Sequence, residues 1–143
     1  MEAMILLDCS HYSADMVDVL KVFQQIGWDV YNPQGQVEYV PVGDDDEFNW
    51  QCDELSEIEV YEMMTAKIAN KEVSAMNLFY NKGHEGICFL AHNTAEVMLS
   101  LSINRRTVDG EHTDMAWYLE NIIYKLWRLG VRIISYKAEE FED

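Results

Sequence analysis

An α+β fold on a mostly antiparallel or mixed sheet is predicted by three features of the chain. Apolar residues recur at helical spacing in three segments, at least one other segment alternates with period two, and short polar turns separate consecutive strands. The segments follow one another as β-α-β-β-α-β-β-β-α-β, a mixture of hairpins and crossovers, so three helices are expected to pack on the sheet. Across its 143 residues there is no internal repeat, low-complexity tract or Pro/Gly/Ser linker, and residues 1–143 read as a single domain. A hydrophobic fraction of 49% supplies a core without disulfides or a structural metal.

The apolar run Met4–Asp8 fits a buried strand. Ser13 then offers an N-cap. Met16, Leu20, Phe23 and Ile26 recur at helical spacing, and Gly27 supplies the left-handed position that ends a helix. Trp28–Tyr31 and Gln36–Val42 flank Asn32-Pro33-Gln34-Gly35, where Pro fixes φ and Gly accepts a positive one, so the two read as a hairpin. Ser56 with Glu59 forms a capping box for a second helix, in which Tyr61, Met64 and Ile68 share a face before Asn70.

Val73–Tyr80, Gly86–His92 and Glu96–Asn104 read as a three-stranded meander. In the third strand Val97, Leu99, Leu101 and Ile103 take one face and Ser100, Ser102 and Asn104 the other. Thr113 is the expected cap of a last helix carrying Met115, Leu119, Ile122, Leu126 and Leu129, with Gly130 as terminator. Val131–Tyr136 is expected as the closing strand, and Glu139–Asp143, acidic at four of five positions, as a frayed tail.

Charge limits what the chain can do. The 26 acids and 10 bases give a formal charge of −16, which opposes any role needing many phosphate contacts, so nucleic acid is not an expected partner. A basic protein is, although solubility alone also accounts for acidity. The charge is uneven: residues 1–72 hold 16 acids and 3 bases, net −13, while residues 73–143 hold 10 acids and 7 bases, net −3. Between Lys21 and Lys67 there are 11 acids and no base. The longest apolar runs, such as Met4–Leu7 and Val131–Ile134, fall far short of the roughly 20 residues that span a bilayer. The start Met1-Glu2-Ala3 lacks the basic stretch of a signal peptide, so a cytoplasmic location is expected.

No cofactor, metal or catalytic signature is found. Cys9, Cys52 and Cys88 are odd in number and widely spaced, as reduced thiols are. Asp8-Cys9-Ser10-His11, between a strand end and a helix start, is the best enzymatic candidate, because a helix N-terminus lowers a thiol pKa. On that reading the chain is a small hydrolase or transferase using Asp8, Cys9 and His11. No Arg or glycine loop accompanies it to bind an oxyanion. Asp44-Asp45-Asp46 lacks the alternating ligands and bend glycine of a calcium loop, and His11, His84, His92 and His112 lack zinc spacing.

What remains is a run of acids interleaved with rings: Asp44, Asp45, Asp46, Glu47, Phe48, Trp50, Asp53 and Glu54. Aromatic anchors supply binding energy while carboxylates meet Lys and Arg and set the association rate, so these eight residues are the expected partner-binding set. The plainer alternative folds Phe48 and Trp50 back onto the core with the acids outside. A second aromatic group, Trp117, Tyr118, Tyr124 and Trp127, reads mainly as core. Any ring stripe left exposed there would suit a homodimer, with Arg128 or Arg132 pairing acids of the second copy.

In size, in charge, and in the segments Gly43-Asp44-Asp45-Asp46 with Trp50 and Trp117-Tyr118-Leu119-Glu120-Asn121, the chain resembles the immunity proteins of bacterial polymorphic and contact-dependent toxin systems. The resemblance implies a non-enzymatic protein that binds a cognate toxin tightly, often a basic nuclease domain, and occludes its active site or a neighbouring surface. It carries no family residue onto a position of this chain. An adaptor domain is the other non-enzymatic reading.

Overall fold

The computed structural model describes residues 1–142, and its strands turn alternate side chains toward a single layer of helices. In chain order the elements are β1 (Glu2–Asp8), α1 (Met16–Gln25), β2 (Trp28–Asp29), β3 (Val37–Tyr39), β4 (Gln51–Asp53), α2 (Glu57–Ala69), β5 (Ser74–Tyr80), β6 (Gly86–Ala91) and β7 (Val97–Ile103). Helix α3 follows, α-helical over Met115–Tyr118, π-helical over Leu119–Tyr124 and α-helical again over Lys125–Arg128, and β8 (Ser135–Phe141) is last. The fold is α+β. Its eight-stranded sheet has the order β4-β3-β5-β6-β7-β1-β8, with β2 also bonded to β5, and all its pairings are antiparallel.

Register decides which side chains enter the core. Ile5 lies beside Leu99, Leu99 beside Phe89, and Leu6 beside Met98, so odd and even positions of β1 serve opposite faces. Ile5, Leu7, Met76, Leu78, Ile87, Phe89, Val97, Leu99 and Leu101 form one cluster with residues of all three helices. Phe23 of α1 meets Phe89 edge-on at 5.7 Å, a favoured ring geometry. Trp28 is wholly buried, and its indole N–H donates to the carbonyl of Asn121 in the π segment at 2.9 Å. On the opposite face Met4, Leu6, Cys88, Leu90, Met98 and Ser100 stay partly exposed, with no element packed over them in the core cluster.

Several elements differ from the sequence expectation. The cap of α1 is Asp15, whose carboxylate accepts from the Val17 N–H, while the Ser13 hydroxyl accepts from the Asp15 N–H and donates to Asp18. The cap of α3 is Asp114 in place of Thr113, whose N–H is taken by Glu140. The expected hairpin between Trp28–Tyr31 and Gln36–Val42 is reduced to one bridge, Tyr31 to Val37, because β2 and β3 each pair with β5 instead. β4, which lacks a hydrophobic pattern, was not expected; it forms by pairing with β3.

The buried faces of two helices also differ. In α2 the inward residues are Val60, Met64 and Lys67, while Ile68 is exposed. In α3 Tyr118, Ile122, Ile123 and Leu126 face inward, and Leu129, the C-cap, is exposed. At the C-terminus Val131 and Ile133 are buried outside any strand, and β8 continues to Phe141 in register with β1. Most of the expected frayed tail is therefore paired: Glu140 accepts from the Thr113 N–H and lies 3.7 Å from Arg105. Asp143 lies outside the described residues.

Both halves of the α2 capping box form, with the Glu59 N–H donating to Ser56 and the Ser56 N–H donating to Glu59. Replacing Ser56 by Ala is expected to lower stability by about 1 kcal/mol, read as a lower denaturant midpoint at unchanged slope.

Candidate functional site

The acidic segment leaves the sheet after β3 and returns as β4, so its two ends are fixed by the sheet edge. Between them the loop is braced from within. Asp44 is buried, and its carboxylate accepts from the Phe48 N–H at 2.6 Å and the Asn49 N–H at 3.0 Å. The Gly43 N–H donates to Glu72 at 2.6 Å, and this bond holds the Glu72 carboxyl below its ordinary pKa.

Lys67 lies beneath, only 2% exposed, donating to the Val73 carbonyl at 3.0 Å. Burial lowers its pKa, and the charges of Glu72, Asp44 and Asp46 oppose that shift. A buried ammonium is costly unless compensated, so these carboxylates and the carbonyl stabilise it where it sits.

Bracing of this kind lets the loop hold an unfavourable backbone. Asp45, Asp46 and Phe48 have φ of 52°, 58° and 55°, a left-handed conformation that Asp tolerates and Phe rarely adopts. The result is outward projection of Asp45, Asp46, Glu47, Phe48 and Trp50, with Phe48 43% and Trp50 40% exposed. The two rings therefore do not fold back onto the core. On the adjoining strand and its exit, Asp53 and Glu54 are exposed, and Asp53 accepts from the Tyr39 hydroxyl at 2.7 Å, which pushes that phenol up to about 12.

Seven of the eight expected partner-binding residues thus share one exposed segment: Asp45, Asp46, Glu47, Phe48, Trp50, Asp53 and Glu54. Asp44 differs, because both its oxygens are committed to loop N–H groups. It holds the loop's shape and does not face a partner.

Helix α2 extends the acidic surface. Glu57, Glu59 and Glu62 are exposed, and an open groove of about 400 Å³ runs along Ile58, Tyr61, Thr65, Ala66 and Ala69. The sequence reading missed this groove and the brace. Lys67 follows Val60 by seven residues and Met64 by three, on the apolar face, and that spacing was the available signal.

The other sequence candidates are dispersed. Cys9 is buried, and desolvation, then the Asp8 charge, pushes its thiol up to about 12, the reverse of the activation expected at a helix start. Asp8 is taken by the Ser10 hydroxyl at 2.6 Å, and His11 is exposed. In the second aromatic group Tyr118 is wholly buried, Trp117 packs against Trp28, Tyr80 and Tyr118, and only Trp127 is largely exposed. Among the described residues no three His, Cys, Asp or Glu side chains gather as a metal site, and no helix is long and apolar enough to cross a membrane.

Comparison adds no identity: no protein-family model, curated protein or solved structure shows significant similarity to the chain.

Two measurements test the geometry. Exposed Cys52 is expected to react with iodoacetamide in the native protein at about pH 8, while Cys9, and Cys88 with its thiol raised by burial to about 11, react only on unfolding. Asp44→Ala, which removes the acceptor of two loop N–H groups, is expected to cost about 1–3 kcal/mol of stability and to speed amide exchange at Phe48 and Asn49.

Proposed function

We propose that this protein binds a basic protein partner through the acidic, ring-bearing edge of its sheet and neutralises it, as an immunity protein does a cognate toxin. The observation that carries this reading is the joint exposure of Asp45, Asp46, Glu47, Asp53 and Glu54 with Phe48 and Trp50 on one braced segment. Within residues 22–70 the one base, Lys67, is buried, so the segment itself presents no surface cation. Carboxylates around exposed rings are suited to a surface of Lys and Arg, the groups a nuclease presents to phosphates. Steering would come from the acids and residence from burial of the two rings.

The fixed loop favours binding in another way. A segment already ordered by Asp44 and Glu72 loses little conformational entropy on association, so more of its contact energy appears as affinity. Its left-handed residues are a strain of the kind that clusters at functional sites.

The test uses wild-type protein and the triple variant Asp45→Asn, Asp46→Asn, Glu47→Gln as matched baits in the source cells, followed by association kinetics with any partner that only the wild type retains. The expected partner is basic, its on-rate falls steeply with salt, and the triple variant associates at least tenfold more slowly with its fold intact. Phe48→Ala and Trp50→Ala are expected to raise the off-rate instead. Equal binding by the triple variant, or an on-rate indifferent to salt, would sink the reading.

A further inference from the structure

We infer that β8 is a self-pairing edge through which two copies of this chain join their sheets, antiparallel and centred on Ala138. Among the described residues the strand ends the sheet, bonded to β1 alone, and it runs seven residues, Ser135–Phe141, in unbroken register and without Pro. An unpaired edge of this length is a template for another strand unless something guards it. A lone Lys commonly serves as guard, but here Lys137 is followed two positions on by Glu139, on the same face.

That spacing selects the occupant and the register. A two-fold axis perpendicular to the sheet keeps each face continuous, so only registers that set odd positions opposite odd ones, and even opposite even, are allowed. Centred on Lys137 or on Glu139, the pairing sets that residue against its own copy, which is destabilising. Centred on Ala138, it sets Lys137 opposite the second copy's Glu139 and the reverse, so four charges alternate around the axis. The small Ala138 side chains meet at the axis itself. Within one chain Lys137 and Glu139 already form an ion pair, and their side chains are 70% and 39% exposed and free to be shared.

The surroundings of β8 fit burial. Phe141 at the end of the strand is exposed on the face that carries Lys137 and Glu139, and the pairing sets it opposite Ser135 of the other copy. Leu6, exposed on β1, lies opposite Lys137, and Trp127, 47% exposed, stands 6.1 Å from Tyr136 of β8. The net charge of −16 does not forbid association at this edge. β4, beside the acidic loop, lies six strand spacings from β8, roughly 29 Å at about 4.8 Å each, and salt screens surface charge over about 8 Å. The two acidic surfaces would point away from each other, at opposite ends of one continuous sheet.

Sedimentation equilibrium of the full chain from micromolar to millimolar concentration tests the inference, with circular dichroism as the check of folding. The wild type is expected to move from monomer to dimer. Lys137→Glu alone and Glu139→Lys alone, which place four like charges around the axis, are each expected to raise the dimer dissociation constant on the order of tenfold or more. An equimolar mixture of the two single variants is expected to recover the dimer, because their charges complement one another. Amide exchange in β8 of the unmodified chain, slowed as concentration rises, gives the same answer without substitution. A wild type that stays monomeric throughout, or a dimer that neither reversal weakens, overturns the proposal.

Discussion

All three helices contribute to a cluster on one side of the sheet, and this asymmetry governs most of what the chain presents to its surroundings. A sheet covered on one face needs apolar residues only at alternate positions. The odd residues of β1, β7 and β6 with Met76 and Leu78 of β5 are accordingly the buried ones on that side, while β5 also buries Ala75 and Phe79 on the other. The opposite face is left to a mixed set: Met4, Leu6, Asn77, Cys88, Leu90, Met98 and Ser100. Among the described residues the antiparallel strand order ends at β4 and at β8, each bonded to one neighbour.

The two edges have different character because the charge is divided along the chain. β4 adjoins the acidic loop and leads into α2, both from the half with net charge −13; β8 comes from the half with net charge −3. Folding places them at opposite ends of the sheet, which separates the acidic surface from the β8 edge. The acidic end is held by polar groups turned inward. Asp44 and Glu72 accept from the loop's N–H groups, the Val73 carbonyl accepts from the buried Lys67 ammonium, and the remaining carboxylates of the loop are left exposed.

Much of the fold was legible where local rules and tertiary packing agree. The alternation of Val97, Leu99 and Leu101 marked an inward face, the Ser56 and Glu59 pair marked a helix start, and Gly27 and Gly130 fell just past helix ends with φ of 105° and 83°. Errors arose where neighbours compete for the same role. Ser13 and Thr113 are good caps in isolation, but Asp15 and Asp114 stand closer to the first turn and took it. Leu129 stands past the last helical residue of α3 as its C-cap and is exposed, so the helical period no longer decides its face.

The sequence by itself determined the fold class, the order of the main elements and the location of the acidic, aromatic segment, because each depends on spacing and composition within a few turns of chain. Only the tertiary structure decided that Phe48 and Trp50 face outward, that Asp44 and Lys67 face inward, that Gln51–Asp53 forms a strand and that β8 is an edge. Those outcomes depend on which distant strand arrives to pair and on which polar groups must find partners once buried, and neither is encoded in any local pattern.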